Sequence, residues 1–387
     1  MTAIVRVMFI GSCRQTSSAE VDVVGASRFN PNIHGLRGFA ALMVFGCHVY
    51  AGSFEAGFYP DTWPPPLAWM LNAGRYGVDV FFLISGYLIT ETLVRKHHIK
   101  RFLLDRAIRL YPAFIGVLLP LIVMGIATQA RIFGETEPAS WPFHILSSLL
   151  FLPGVFPLPA ILGVAWSLSF EAAFYLTAAS AFALGRAHRR ALAGSIVLIV
   201  SIVLLPQYPG IVCFHAGVLV YLYRSQLRRT LRLLRSPVLM LLAFLVLRDV
   251  IALSAVPGEL LLSPLMSVLL ALLFISALAF FSALVEGAGA LSALMRCAPM
   301  QFMGTISYSF YLWHTPVMYL TKRWVHASIV PACGEAAGTL AFAAISLPPA
   351  ILISYLSYRV LEAGAGRVLH RRLSTDAGRQ PAAGAVS

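Results

Sequence analysis

Apolar residues occur along this chain in long runs, and polar or basic residues interrupt the runs at fairly regular intervals. Most of the runs are close to the roughly 20 residues that an α-helix needs to cross a bilayer. The pattern therefore predicts ten membrane-spanning helices. They lie near residues 33–52, 76–94, 108–128, 163–184, 191–206, 209–223, 237–255, 259–281, 300–320 and 338–361.

Composition supports a membrane protein. Hydrophobic residues make up 59% of the 387 positions and charged residues only 12%. A soluble chain of this length could not bury so many apolar runs in one core. The predicted fold class is thus an all-α, polytopic membrane protein whose surroundings are the lipid bilayer.

Basic residues set the predicted orientation. Lys and Arg number 29 against 16 Asp and Glu, and most of them lie in alternate short connections and in the tail. Cytoplasmic loops carry such an excess, so both chain termini are predicted to be cytoplasmic. The same pattern explains the positive charge without a nucleic-acid partner. The basic connections contain Arg95, Lys96, Lys100, Arg101 and Arg106; Arg186, Arg189 and Arg190; and Arg224, Arg228, Arg229, Arg232 and Arg235.

The remaining segments divide the chain simply. Residues 1–30 lack a signal-peptide pattern and are predicted to be a cytoplasmic extension. Residues 31–363 form the membrane domain, and residues 364–387 form a basic cytoplasmic tail. Residues 59–66 and 131–162 are expected to be outside loops. The cysteines are odd in number and scattered, so no disulfide framework or metal site is predicted.

The first span carries two strongly polar side chains, Arg37 and His48. Eleven residues at about 100° each leave them only about 20° apart around the helix axis. Ionisable groups are costly in hydrocarbon, so a pair on one face indicates a wetted protein interior. A snorkelling arginine and a helix-packing histidine are the simpler alternative.

Charged residues also stand at the next helix ends. Asp79 lies just inside the second apolar run, where it is either a helix N-cap or a functional carboxylate. Arg106 and Arg109 are spaced i, i+3, so both point to one side of the third helix. Two guanidinium groups there suit phosphates, although ordinary membrane anchoring explains them as well.

Polar residues recur in the fourth and ninth spans. Glu171 lies roughly two turns into an apolar helix and needs a partner there. Ser307, Tyr311 and His314 are spaced i, i+4, i+7 and form a polar stripe beside Trp313. An interfacial aromatic belt explains the two aromatic residues equally well, but not the serine and the histidine.

Counting residues from the helix ends gives these side chains a height in the membrane. At about 1.5 Å per residue, His48 and His314 both lie roughly 20 Å above the inner face. Asp79 and Glu171, on helices that descend from outside, reach a similar height. We therefore expect a layer of histidines and carboxylates in the outer half, and a mouth of three arginines near the inner face.

Together the motifs follow one order along the chain. They are Arg37-x10-His48, residues 77–86 (Gly-Val-Asp-Val-Phe-Phe-Leu-Ile-Ser-Gly), Arg106-x-x-Arg109-x-Tyr-Pro, residues 166–171 (Trp-Ser-Leu-Ser-Phe-Glu) and residues 307–314 (Ser-Tyr-Ser-Phe-Tyr-Leu-Trp-His). In these motifs the chain resembles the acyltransferase-3 family, whose members modify O-antigens, exopolysaccharides, Nod factors and peptidoglycan. The family's C-terminal signature has a basic residue and Pro after its Glu, whereas here Glu362 precedes Ala363 and Gly364. No appended soluble domain is seen, as in the short branch of the family.

The resemblance implies a multi-pass protein of the bacterial inner membrane with acyl-CoA as donor substrate, acetyl-CoA by default, and no metal. The acceptor is expected to be a hydroxyl of a cell-surface or lipid-linked glycan. Arg37, Arg106 and Arg109 would bind CoA. His48 would be the general base, supported by Asp79 or Glu171, because histidine takes a hydroxyl proton readily near neutral pH.

The polar stripe of the ninth span, Ser307, Tyr311, Trp313 and His314, is predicted to bind substrate, with Tyr311 or His314 donating to the oxyanion. Direct transfer and an acyl-histidine intermediate both stay open. A proton-coupled transporter or flippase is the alternative class, since intramembrane His, Asp and Glu also relay protons.

Overall fold

The computed structural model describes residues 29–55, 64–96, 98–129, 132–231, 234, 236–254, 263–365 and 367–368. The predicted N-terminal extension and basic tail therefore lie almost entirely outside the described residues.

The described chain is all-α, as predicted, and ten of its longer helices overlap the ten predicted spans. They are α1 (Pro31–Glu55), α2 (Gly77–Lys96), α3 (Ile99–Thr128), α4 (Trp166–Arg186), α5 (Arg190–Leu204), α6 (Val212–Leu222), α7 (Pro237–Ser254), α8 (Pro264–Val285), α9 (Ala298–Ser328) and α10 (Val330–Ser357). Shorter helices at Pro65–Ala73, Ile132–Glu135, Trp141–Leu149, Arg224–Thr230 and Gly289–Arg296 join them.

Local sequence explains several helix ends. The hydroxyl of Ser263 accepts a 3.4 Å hydrogen bond from the backbone of Met266, and Pro264 opens α8 in the position where its missing N–H costs least. At the other end of the chain, α10 passes into a π-helical segment, Tyr358–Ala365.

Six stretches of the described chain are long and apolar enough to cross a membrane. They are Pro65–Arg95, Ile99–Glu135, Gly163–Arg186, Pro237–Ser254, Pro264–Val285 and Ala337–Gly364. Helices α5 and α6 are apolar but shorter. These helices are consistent with a multi-pass membrane protein. The count of ten spans and the cytoplasmic position of both termini stay predictions.

Glycines allow the closest helix contacts. A Cβ atom on Gly38 of α1 would lie 2.7 Å from the backbone of Gly304 and of Met300 in α9. A Cβ atom on Gly217 of α6 would lie 2.8 Å from the backbone nitrogen of Tyr87 in α2. Small residues at such crossings let helix backbones approach closely. The α1–α9 contact places the polar faces of these two helices side by side.

The segment between α3 and α4, which is predicted to lie outside, packs against the helix bundle. The hydroxyl of Tyr111 in α3 donates a 3.0 Å hydrogen bond to the carbonyl of Leu149. Ser169 in α4 likewise donates to the carbonyl of Pro153. Ile161 and Leu162 are buried. This segment therefore forms one wall of the structure around α3 and α4.

Candidate active site

A cavity lies between α1, α2, α3, α4 and α9, with about 660 Å³ of empty space that includes open solvent. Its lining contains both polar and apolar residues. The polar residues are Arg37, Ser85, Arg106, Arg109, Ser167, Glu171, Tyr175, Ser307 and Tyr311. The apolar residues include Val78, Phe81, Phe82, Ile84, Leu88 and Ile89.

Three arginines make this cavity cationic. Arg106 and Arg109 both face it from α3, as their spacing predicts, and Arg37 faces it from α1. Arg106 packs over the ring of Phe102 at 5.5 Å and donates a long 3.4 Å hydrogen bond to Thr92. None of the three takes part in the salt bridges of the described residues. Guanidinium groups outside the salt bridges of the described residues can bind an anionic ligand.

Glu171 is the carboxylate that lines the cavity. Its Oε1 accepts hydrogen bonds from Ser85 at 2.6 Å and from Tyr175 at 2.5 Å. Tyr175 lies one turn further along the same helix, so the sequence brings donor and acceptor together locally. The Glu171 carboxylate therefore lines the same cavity as the three arginines.

A second carboxylate near the arginines was missed by the sequence reasoning. The π-helical segment after α10 turns Glu362 inward, where its Oε1 accepts from the hydroxyl of Ser309 at 2.5 Å and from the backbone N–H of Ser309 at 3.1 Å. Its charge interacts with those of Arg37 and Arg109. The signal in the sequence was a single acidic residue at the end of the last apolar run.

The polar stripe of α9 begins at the cavity. Ser307 lines it and donates to the carbonyl of Gly304 at 2.9 Å. Tyr311 closes one side, donating to the carbonyl of Val164 at 2.9 Å, with its oxygen 2.7 Å from that of Ser167. Trp313 is half-buried and is not part of the lining.

His314 and His48 form a pair beyond Tyr311. The centroid of the His314 ring is 6.0 Å from that of Tyr311 and 5.1 Å from that of His48. The two histidines therefore lie at the same level, as counting along the helices predicts. His314 is fully buried against Phe45 and Phe310.

The predicted layer of histidines and carboxylates is not what the structure shows. Asp79 accepts from Tyr208 at 2.5 Å and forms a 2.5 Å ion pair with Arg248 of α7. Asp79 is completely buried and does not line the cavity. Its Oδ2 binds Arg248 of α7, and its Oδ1 accepts from Tyr208 in the connection between α5 and α6. Glu171 lies with the arginines. The hydrogen bonds of both carboxylates thus go elsewhere than to His48.

Within the described residues, no group of three or more His, Cys, Asp or Glu side chains is placed to hold a metal ion.

Comparison with known proteins gives one family. The acyltransferase-3 model, described as an acyltransferase domain, matches residues 30–359. The chain is 33% identical to the acyltransferase MdmB of Streptomyces mycarofaciens over 38% of each protein. It is 28% identical to nodulation protein 10 of Rhizobium leguminosarum bv. viciae, over 44% of the chain and 48% of that protein.

A third relative is the peptidoglycan O-acetyltransferase OatA of Listeria monocytogenes, 28% identical over 38% of the chain and 23% of its own length. The chain thus matches less than half of the length of each of these relatives. No solved structure shows significant similarity to it.

Proposed function

Because this chain belongs to the acyltransferase-3 family, we propose that it is a membrane-bound O-acyltransferase of the bacterial inner membrane. It moves an acyl group, by default acetyl, from cytoplasmic acyl-CoA to a hydroxyl of a cell-surface or lipid-linked glycan. The observation that carries the proposal is the cationic cavity whose far wall, Tyr311, adjoins the histidine pair.

The donor site is the arginine side of the cavity. Arg37, Arg106 and Arg109 form no salt bridge with the described carboxylates, so their charges would meet the phosphates of CoA. Bidentate contacts to phosphate favour arginine over lysine. The apolar wall formed by Phe81 and Phe82 then receives the pantetheine arm and directs the thioester toward Tyr311.

His48 is the general base in this proposal. It takes the proton of the acceptor hydroxyl as that oxygen attacks the thioester carbonyl carbon. The new C–O bond forms, the C–S bond breaks, and the proton passes to the departing CoA thiolate. Tyr311, which lines the cavity, or His314 beside it would stabilise the oxyanion in this proposal. In the alternative route His48 itself attacks the thioester carbonyl carbon, so that a C–N bond forms as the C–S bond breaks. The acceptor oxygen then takes the acyl group as the C–N bond breaks, and the hydroxyl proton passes through His48 to the CoA thiolate.

Glu171 acts on the arginines in this arrangement, since it is held by Ser85 and Tyr175 within the same cavity. Its negative charge offsets the electrostatic repulsion among the three guanidinium groups before acyl-CoA binds. Asp79 has a structural role in the same proposal, as the partner of Arg248.

The test begins with purified protein in nanodiscs and acetyl-CoA labelled in the acetyl group. We expect the wild type to cleave the thioester and His48→Gln to lose about 10²- to 10⁴-fold in rate, the usual cost of removing a positioned base. Intact acyl-CoA with correctly folded wild type would favour the transporter class. Mass spectrometry of surface glycans with and without the gene then identifies the acceptor.

Donor binding is tested separately. The double variant Arg106→Ala/Arg109→Ala should weaken CoA binding by about a hundredfold or more, since two hydrogen bonds to charged groups are lost and each contributes about 1.5–3 kcal/mol. Arg101→Ala is the matched control, because Arg101 is exposed on the same helix and pairs with Asp105 instead. Equal CoA affinity in all three proteins would reassign the pair to membrane anchoring.

A further inference from the structure

A second cavity lies beside the candidate active site, toward the other end of α3 from the arginines. It has about 550 Å³ of empty space, which includes open solvent. Its lining comes from α3, from the segment between α3 and α4, and from α9. Leu121, on its α3 wall, follows Arg109 by twelve residues, which is roughly 18 Å along the helix axis.

The lining of the second cavity is mainly apolar. Two of the lining residues carry a hydroxyl group, Thr315 and Tyr319, and none of those that the structure describes there is charged. The deepest part of the wall consists of buried apolar side chains, namely Ile132, Phe133, Ile161 and Leu162. A cavity with such a lining favours the apolar part of a ligand over a hydrated sugar or a phosphate.

The two cavities share two walls, and Tyr311 bridges these walls. On α9, Tyr311 lines the first cavity and Thr315, one turn later, lines the second. On the other wall, Ser167 lines the first cavity and Leu162 the second. Between them, the hydroxyl of Tyr311 donates to the carbonyl of Val164 at 2.9 Å, and its oxygen lies 2.7 Å from that of Ser167. One side chain and one turn of backbone thus lie between the cavities.

The rim of the second cavity reaches the outer surface of the helix bundle. Met124 on α3 and Tyr319 on α9 both line the cavity and are 36% and 37% exposed. The residues next to them in sequence, Val123 and Leu320, are apolar and still more exposed. Exposed apolar side chains on helices of a multi-pass membrane protein face lipid. A ligand that is dissolved in the bilayer can therefore reach this rim.

We propose that the second cavity binds the apolar part of the acyl acceptor, so that the acceptor is an amphiphile which enters from the bilayer and presents its hydroxyl at Tyr311. This inference rests on the proposed function, and it selects a lipid-linked acceptor over a free, hydrophilic glycan. The donor and the acceptor then approach Tyr311 from opposite ends of α3. The bonds made and broken are those of the proposed transfer.

Photolabelling of the wild type in nanodiscs tests the occupant directly. The probe is decyl glucoside with a diazirine in its alkyl chain, and mass spectrometry of peptides locates the adducts. We expect adducts within residues 121–125 and 315–319, at least tenfold above those from phosphatidylcholine with a diazirine in its acyl chain. Equal labelling by the two probes would make the cavity an ordinary lipid site and overturn the proposal, as would adducts elsewhere only.

A variant that fills the second cavity supplies the second arm. Thr315→Phe places a ring in the cavity, whereas Leu320→Phe, the matched control, places the same ring on α9 at a position that is 62% exposed. We expect Thr315→Phe to lose at least tenfold in labelling with its affinity for CoA unchanged, and Leu320→Phe to match the wild type. Met124→Trp at the exposed rim should give the same loss if Thr315→Phe does not fold. Unchanged labelling in a folded, filled variant overturns the proposal.

The two arms also separate this inference from the proposed function. A wild type that is labelled in the second cavity but cleaves no acyl-CoA refutes the acyltransferase proposal and leaves an amphiphile site. A wild type that cleaves acyl-CoA but is not labelled there refutes the acceptor site alone.

Discussion

The ion pair between Asp79 and Arg248 offers the sharpest test of how this structure is held together. Both side chains are buried, at 0% and 4% exposure, and Asp79 also accepts from Tyr208. Asp79→Ala leaves the Arg248 guanidinium buried without its counter-ion. Breaking a buried pair on one side typically costs about 3–5 kcal/mol. At about 1.4 kcal/mol per factor of ten, the unfolding equilibrium should shift by roughly two to three and a half powers of ten.

Replacing both charges should behave differently. Apolar residues of similar volume in place of a buried pair are often neutral or stabilising. The double variant Asp79→Leu/Arg248→Met should therefore recover most of the lost stability. The hydroxyl of Tyr208 would still lack its acceptor, which costs about 1–3 kcal/mol, so adding Tyr208→Phe should recover the rest.

The assay is denaturant unfolding of the purified proteins in one detergent, followed by acyl-CoA cleavage in the variants that fold. Because Asp79 does not line the cavity, the stable double variant should keep wild-type turnover. A double variant that is as stable as the wild type but inactive would refute this reasoning and return Asp79 to the catalytic set. A single variant that loses no stability would refute the buried pair itself.

Three further predictions follow from the helix contacts and the charges. Glu362→Gln should weaken the binding of CoA or alter the kcat of the enzyme, since the neutral amide no longer balances the positive charge of the neighbouring arginines. Unchanged kinetics would make this carboxylate purely structural. Gly38→Ala should reduce the yield of folded protein because its Cβ has no room, whereas Gly163→Ala, with nothing within 4 Å, should not; equal yields would contradict the close crossing. Reporter fusions after Arg235 and Arg323 should report cytoplasm and exterior respectively, and the same compartment for both would overturn the predicted topology.

Features that depend on one helix could be predicted from the sequence. The spacing of Arg106 and Arg109 fixes their common face because helical periodicity is local. The positions of His48 and His314 along their helix axes could be matched because the rise per residue of an α-helix is constant. Counting residues from the predicted helix ends therefore gives each position.

Features that depend on long-range pairing could not. Asp79 and Arg248 are 169 positions apart in the sequence. No helical periodicity links residues so far apart, so the sequence analysis predicted Asp79 as a partner of His48 instead. Glu362 was missed for a different reason. It is turned inward by a π-helical segment, and π geometry is not visible in a pattern that assumes 3.6 residues per turn.

The contact between α1 and α9 joins the first helix of the described chain to one in its last quarter. His34 and the carbonyl of Gln301 meet at 3.1 Å across 267 positions of sequence. At a synthesis rate of about 5–20 residues per second, the first helix must wait on the order of tens of seconds for its partner. During that time the polar face of α1 that carries Arg37 and His48 lacks its neighbour α9. The face shared by α1 and α9, including the His48–His314 ring contact, can therefore form only after most of the chain has been made.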